Sequence, residues 1–190
     1  MKHTARRRAG HLSGVGLRIL LSLAAGALAF APWEAAAQPA VSKEYQVKAA
    51  FLFNFVQFVE WPPRAFANSD TPICIGVLGE DPFGMALEET VRDETVKNRK
   101  FIVQRSRQVA NLKDCQIIFI SKSEAERVSG ILSELDPVPV LTVSETQGFA
   151  QRGGIINLYL IANKLRFEVN PSAAGRKGLK ISSELLSLGK

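Results

Sequence analysis

Histidine and cysteine are scarce in this sequence of 190 residues. Both histidines, His3 and His11, lie near the amino terminus, and the two cysteines are Cys74 and Cys115. Without histidine in the rest of the chain, catalytic triads that depend on imidazole and the common zinc sites are excluded there. Two cysteines also exclude a metal site built from four thiolates. We therefore predict no catalytic residues, no metal ligands and no cofactor.

Positive charge is concentrated at the amino terminus rather than spread over the chain. Of the 24 Lys and Arg residues, five precede residue 38, together with only one of the 18 Asp and Glu residues. The remainder, with 19 cations and 17 anions, is nearly neutral. Because a nucleic-acid-binding domain carries a basic patch or stripe, we predict no nucleic-acid partner.

Residues 1–37 have the pattern of a secretory signal peptide. A basic stretch up to Arg18 is followed by an apolar run over 19–31 and by small residues at 35–37, the pattern that signal peptidase recognises. A helix over that run spans about 20 Å, short of the roughly 30 Å hydrocarbon core, which disfavours a retained anchor. We predict export, cleavage after Ala37, a linker over 38–43 and one domain over 44–190.

Strand patterns alternate with helix patterns in the middle of the chain. Strands are predicted at residues 72–79, 100–104, 115–121 and 139–143, with helices at 81–91 and 123–135. This alternation is typical of a parallel sheet covered by helices on both faces. Later strands at 154–162 and 165–169 flank Asn163-Lys164, which predicts an antiparallel hairpin. The predicted fold is an α/β domain with a mostly parallel, flavodoxin- or Rossmann-like sheet and this carboxyl-terminal hairpin.

A long apolar helix is predicted over residues 44–61, where Pro62 and Pro63 end it. Its apolar side chains cover most of the helix circumference, which indicates burial on more than one side. Two interpretations stay open: a helix enclosed by its own domain, or a helix shared with a second subunit. In the second case, the homodimer interface contains Phe51, Phe55, Phe58 and Trp61.

Cys74 and Cys115 fall on the first and third predicted strands. In a strand order of 2-1-3 these two strands are neighbours, which brings their Cα atoms near the separation that a disulfide prefers. Two buried free thiols are the alternative. Export to an oxidising compartment favours the disulfide.

The loop at 144–153 follows the fourth predicted strand. Ligands of open α/β sheets bind beyond the carboxyl ends of the strands, so we predict a pocket for a small anion there, lined by Ser144, Gly148 and Arg152. The segment 79–84 has the glycine spacing of a phosphate loop but lacks the Lys and Ser or Thr that follow it. We interpret that segment as a strand-to-helix turn.

Residues 165–169 follow the hairpin turn and alternate between apolar and polar side chains, which predicts a half-exposed strand at a sheet edge. An edge strand suits the recognition of an extended partner segment. We predict that Arg166, Phe167, Glu168 and Asn170 bind a partner. Alternatively, the charges belong to a solvated face and protect the edge from aggregation.

Nine short segments resemble, in order, those of the YfiR-like family. They are KAAFLFNF at 48–55, FVEWP at 58–62, VLGEDPFG at 77–84, IFIS at 118–121, LTVS at 141–144, GF at 148–149, GG at 153–154, LRFEVN at 165–170 and GLKISS at 178–183. Together these segments extend over almost all of the chain that follows the predicted leader.

The resemblance implies a periplasmic regulator without enzymatic activity. Members of this family bind the periplasmic sensing part of an inner-membrane diguanylate cyclase and repress it; release raises cyclic di-GMP and favours biofilm formation. Members are dimeric, and the family's strand-joining cysteine pair maps onto Cys74 and Cys115. A second cysteine pair of some members has no counterpart near Ala150 and Asn157. The competing function is that of a periplasmic small-molecule binding protein.

Overall fold

The computed structural model describes residues 42–189. The predicted leader, its cleavage site and most of the predicted linker lie outside the described residues. Helix α1 (Lys43–Gln57) begins at the last residue of that linker. Among residues 42–189, no helix is long and apolar enough to cross a membrane.

A seven-stranded sheet forms the centre of a mixed α/β domain. Its strands are β2 (Ile73–Leu78), β3 (Thr95–Val96), β4 (Arg99–Ser106), β5 (Ile117–Ile120), β6 (Leu141–Ser144), β7 (Ile156–Ile161) and β8 (Lys164–Val169). Their order is β3-β4-β2-β5-β6-β7-β8. The five inner strands run parallel, whereas β3 and β8 are antiparallel to their neighbours. The α/β domain and its hairpin are therefore confirmed, but the sheet is mixed.

Strand β2 lies in the middle of the sheet because it is apolar on both faces. Ile73, Ile75 and Val77 pack into one cluster of buried side chains, while Cys74 and Leu78 pack into a second. Helix α1 contributes to the first cluster, together with α2 (Ala86–Val91), and α3 (Val128–Glu134) contributes to the second. A strand covered on both faces explains its uninterrupted run of apolar residues.

The long helix predicted over 44–61 is wrong at its carboxyl end. Helix α1 ends at Gln57, and the chain continues into the short strand β1 (Val59–Glu60). Strand β1 pairs antiparallel with β9 (Lys180–Ile181). The predicted helix included these residues because they are apolar like those of α1. The strand that pairs with them lies far along the chain, so the local pattern does not indicate it.

The carboxyl-terminal hairpin turns at Ala162 and Asn163, one residue earlier than predicted. Both residues have positive φ, 48° and 59°, as a two-residue turn of type I′ requires. Lys164 is instead the first residue of β8 and pairs with Ile161. Helices α4 (Pro171–Arg176) and α5 (Ser183–Leu188) follow the hairpin.

A disulfide joins Cys74 of β2 to Cys115, which lies just before β5. Their Cα atoms are 4.4 Å apart, because β2 and β5 are adjacent and parallel. The predicted disulfide is confirmed. Closing a loop over 41 residues stabilises the folded state by about 4 kcal/mol in the chain-entropy model.

Candidate functional site

An apolar groove of about 430 Å³ lies between α1, β8 and α5. It is lined by Phe51, Asn54, Phe55, Phe58, Leu165, Arg166, Phe167, Leu185 and Leu188. Three of the residues predicted for a dimer interface (Phe51, Phe55 and Phe58) and two of those predicted for a partner (Arg166 and Phe167) thus line one groove. Its sequence signals lie more than 100 residues apart, so only the fold brings them together.

The floor of the groove is closed by aromatic packing. The Phe167 ring meets those of Phe51 and Phe55 edge to face, with centroids 6.0 and 5.2 Å apart. Phe55 and Phe167 are only 1% and 8% exposed. The rim is more open, because Phe51 and Phe58 are half-buried and Leu188 is 65% exposed. The rim is therefore the accessible part of the groove, while Phe55 and Phe167 support it from below.

Arg166 is the charged residue that lines this groove. It is exposed, and it forms no ion pair or side-chain hydrogen bond with any residue between 42 and 189. Asn54, also exposed, lies on the helix side of the same groove. The groove therefore has apolar walls, and the edge strand that borders it carries a guanidinium without an ion-pair partner among residues 42–189.

The other residues predicted for partner binding or dimerisation lie elsewhere. The Glu168 carboxylate accepts hydrogen bonds from the Gln151 amide at 3.2 Å. Asn170 caps α4, where its Oδ1 accepts from the Ala173 N–H at 3.0 Å. Trp61 is half-buried and donates its indole N–H to the Gln116 carbonyl oxygen at 3.0 Å.

A second cavity, of about 620 Å³, lies at the carboxyl ends of β5 and β6. Of the three residues predicted for a ligand pocket, it contains Gly148. The Ser144 hydroxyl is buried and donates to the Ile120 carbonyl oxygen at 2.7 Å. Arg152 donates to the Ala125 carbonyl oxygen at 3.1 Å. Gly148 and Arg152 are nevertheless neighbours, because the Arg152 N–H donates to the Gly148 carbonyl oxygen at 3.0 Å.

A buried charge cluster forms one wall of this cavity. The Lys48 ammonium, on a side chain 2% exposed, pairs with Glu44 and Glu145. The Tyr45 hydroxyl donates to Glu145 Oε1 at 2.8 Å. Burial, reinforced by this bond to a carboxylate, raises the pKa of Tyr45 well above its ordinary range. This cluster was not predicted from the sequence, in which its only local signal is the spacing of four residues between Glu44 and Lys48.

The charges around the second cavity do not favour the small anion that we predicted. The carboxylates of Glu44, Glu145 and Glu168 outnumber the ammonium groups of Lys48 and Lys122. Within residues 42–189, no group of three or more His, Cys, Asp or Glu side chains is placed to hold a metal ion.

Comparison with protein families identifies the family to which this chain belongs. Residues 45–190 match the model of the YfiR/HmsC-like family, DUF4154. The chain belongs to the YfiR/HmsC-like family. Members of this family are periplasmic, non-catalytic regulators of cyclic di-GMP signalling. The resemblance drawn from the sequence motifs is thus confirmed.

Comparison with curated proteins gives no match. Among solved structures, the chain is similar to a conserved domain protein from Vibrio cholerae O1 biovar El Tor strain N16961. The TM-score is 0.53 at 11% sequence identity, over 77% of this chain. The matched region spans 59% of the Vibrio chain. At this identity the likeness supports the fold alone.

Proposed function

We propose that this chain is a non-enzymatic periplasmic regulator that binds and represses an inner-membrane diguanylate cyclase. Repression lowers the cellular concentration of cyclic di-GMP and restrains biofilm formation; release has the opposite effect. Membership of the YfiR/HmsC-like family carries this proposal. The periplasmic sensing part of the cyclase is the partner that we assign to it.

The groove between α1, β8 and α5 is the surface that we assign to the cyclase. Its rim exposes the apolar side chain of Leu188 and the charge of Arg166. Interfaces of this kind owe most of their affinity to a few buried aromatic and arginine anchors. Phe51 and Phe58 are such residues in the groove, and Arg166 is one on β8, between the groove residues Leu165 and Phe167.

A charge reversal at Arg166 tests this assignment. The cyclase is identified by pull-down of inner-membrane proteins with the mature chain. Its synthesis of cyclic di-GMP is then measured in membranes with and without added protein. Wild-type protein is expected to lower the rate, and Arg166→Glu to lose this effect while its melting temperature changes little, because exposed substitutions usually change stability by less than about 0.5 kcal/mol.

Arg107→Glu is the matched control. Arg107 is an exposed residue just after β4, and β4 lies near the edge of the sheet opposite to β8. This variant is expected to repress like the wild type. Wild-type protein that represses no captured cyclase contradicts the proposed function. If Arg166→Glu represses the cyclase as strongly as the wild type does, the assignment of the binding surface to this groove is contradicted.

A second candidate function is small-molecule binding, which the 620 Å³ cavity supports. The excess of carboxylates around it favours a ligand that carries a positive charge. Melting temperatures with putrescine or ethanolamine, and with succinate as an anionic comparison, test this. A rise with the amines alone, abolished by Glu168→Gln, supports a binding protein; unchanged melting temperatures with both amines contradict it for these ligands.

A further inference from the structure

Strand β8 is a free edge of the seven-stranded sheet, because it is the last strand in the order. Ile161 and Lys164 flank the two-residue turn and therefore form a hydrogen-bonded pair. Hydrogen-bonded pairs alternate along an antiparallel ladder, so Leu165, Phe167 and Val169 direct their N–H and C=O groups away from β7. The bond from the Asn170 N–H to the Ile155 carbonyl oxygen, 2.7 Å, fits this alternation.

These outward backbone groups are unpaired within the part of the chain that the structure describes. No hydrogen bond joins the backbone of Leu165, Phe167 or Val169 to another residue between 42 and 189 on that side. A row of unpaired N–H and C=O groups is a template for another strand. The structure therefore presents three residues of β8, at alternate positions, whose backbone groups can pair with an added strand.

The apolar groove lies beside this edge. Leu165 and Phe167 line it from β8, while Phe51 lines it from α1 and Phe58 from the position just after α1. Successive side chains of a strand point to opposite faces of its sheet. A strand added to β8 would thus direct every second side chain toward the groove, and the others toward the face that carries Arg166.

We propose that an extended segment of the cyclase's periplasmic part binds by adding to the sheet as a strand beside β8. This inference rests on the proposed function and specifies its binding mode. The segment carries apolar residues at alternate positions, which enter the groove. On its opposite face it carries an acidic residue beside Arg166, whose guanidinium has no ion-pair partner among residues 42–189. Main-chain hydrogen bonds supply affinity and the groove supplies specificity.

The opposite edge of the sheet is a poorer site for such a segment. Strand β3 pairs with only two residues of β4, so the outward backbone groups of Val103 have no strand partner in the described chain. The cavity there is bordered by charged residues, namely Glu88, Arg92, Asp93, Glu94 and Lys100. Arg105 on β4 is held by Asp81 and Glu88, at 2.7 and 2.5 Å. Charges of this kind protect an edge from pairing.

Proline substitution tests whether the backbone of β8 takes part. Leu165→Pro removes an N–H that points away from β7, and proline is tolerated on edge strands at such positions. Leu165→Ala shortens the side chain but keeps the N–H. We expect Leu165→Pro to bind the cyclase in membranes about tenfold more weakly than Leu165→Ala. Equal affinities of the two variants overturn strand addition.

Val103→Pro is the matched control, because it removes an outward N–H from a half-buried position on the other free edge. It is expected to bind like the wild type, and circular dichroism compares the folding of all three variants. Loss of binding in Val103→Pro that equals the loss in Leu165→Pro overturns the assignment to β8. Arg166→Glu and Arg107→Glu test the proposed function separately, because neither changes a backbone group.

Hydrogen exchange on the wild-type protein gives a test that needs no substitution. Binding to membranes that contain the cyclase is expected to protect the amides of Leu165, Phe167 and Val169, and to leave that of Val103 unchanged. Repression of the cyclase without protection of these three amides overturns strand addition but leaves the proposed function standing. Protection at Val103 in place of β8 assigns the partner to the opposite edge.

Discussion

Lys48 forms a buried ion pair with Glu145, 97 residues further along the chain. Their side chains are only 2% and 10% exposed. The pair joins the first half of α1 to the residue that follows β6, at the second cavity. Because the same helix carries Phe51 one turn later and ends directly before Phe58, the ion pair fixes the helix that forms one wall of the groove.

Removal of Lys48 is predicted to destabilise the fold strongly. In Lys48→Met the Glu145 carboxylate stays buried without its cation, and loss of one partner of a buried pair costs about 3 kcal/mol or more. The double variant Lys48→Met/Glu145→Leu is expected to regain part of this loss. Urea unfolding measures each free energy of unfolding.

Lys122→Met is the control for this series, since Lys122 is an exposed lysine at the same cavity. We expect its free energy of unfolding to stay within about 0.5 kcal/mol of the wild type. A loss in Lys48→Met no larger than that of the control contradicts a stabilising role of the buried pair.

Two glycines are predicted to respond to alanine in opposite ways. A Cβ atom on Gly154 would lie 2.1 Å from Cε1 of the Phe149 ring, a fully buried side chain. Gly154→Ala is therefore expected to lower the free energy of unfolding by about 2 kcal/mol or more, as overpacking does. Gly130, in α3, has no atom within 4 Å of such a Cβ. Gly130→Ala is expected to raise stability by about 0.5–1 kcal/mol through helix propensity, and thermal unfolding of both variants decides between these signs.

Lys177 is predicted to make stability depend on alkaline pH. Its ammonium is buried and donates to the carbonyl oxygens of Leu135, Asp136 and Val138, just after α3. Burial lowers the pKa of Lys177, and the nearby Asp136 carboxylate opposes this only in part. Between the lowered pKa and the unfolded value of about 10.4, the unfolded chain binds more protons. The contribution of Lys177 to stability therefore rises with pH in that window.

Comparison with Lys177→Met isolates this effect from other titrating groups. The difference in free energy of unfolding, wild type minus variant, is expected to be constant between about pH 6 and pH 7 and to increase toward about pH 10. Chemical denaturation at each pH measures it. A difference that stays flat or falls as the pH rises contradicts the assigned direction.

Local sequence patterns predicted the strands of the sheet better than they predicted the groove and the buried ion pair. A run such as that of β5, Ile117–Ile120, is buried on both faces, so its apolar residues alone indicate a central strand. The end of α1 was missed because its cause is the pairing of β1 with β9. The burial of Lys48 likewise depends on Glu145, and the groove depends on α1 and β8 meeting. These are contacts between distant parts of the chain, which no local pattern contains.

Export and oxidation are predicted to be visible in the mass of the protein. The signal-peptide pattern predicts a mature chain that begins at Gln38, and oxidation of Cys74 and Cys115 to the disulfide removes two hydrogen atoms. The intact mass of protein purified from the periplasm is expected to match both changes. A mature chain that keeps residues 1–37 contradicts the predicted cleavage. Two thiols that react with an alkylating agent in the unfolded, unreduced protein contradict the disulfide.

The mature protein is predicted to be a homodimer through the exposed side of α1. On that side Val47 is 40% exposed, and Phe51 and Phe58 are half-buried, which leaves an apolar stripe that a second copy can cover. Light scattering at micromolar concentration is expected to give the mass of two chains. Phe58→Asp, which places a charge in this stripe, is expected to shift the protein toward the monomer, whereas Ile102→Asp, at a position of β4 that is 47% exposed, is not. Because Phe51 and Phe58 also line the groove, dimer and cyclase complex compete, so the cyclase should lower the dimer fraction; a concentration-independent monomer contradicts the prediction.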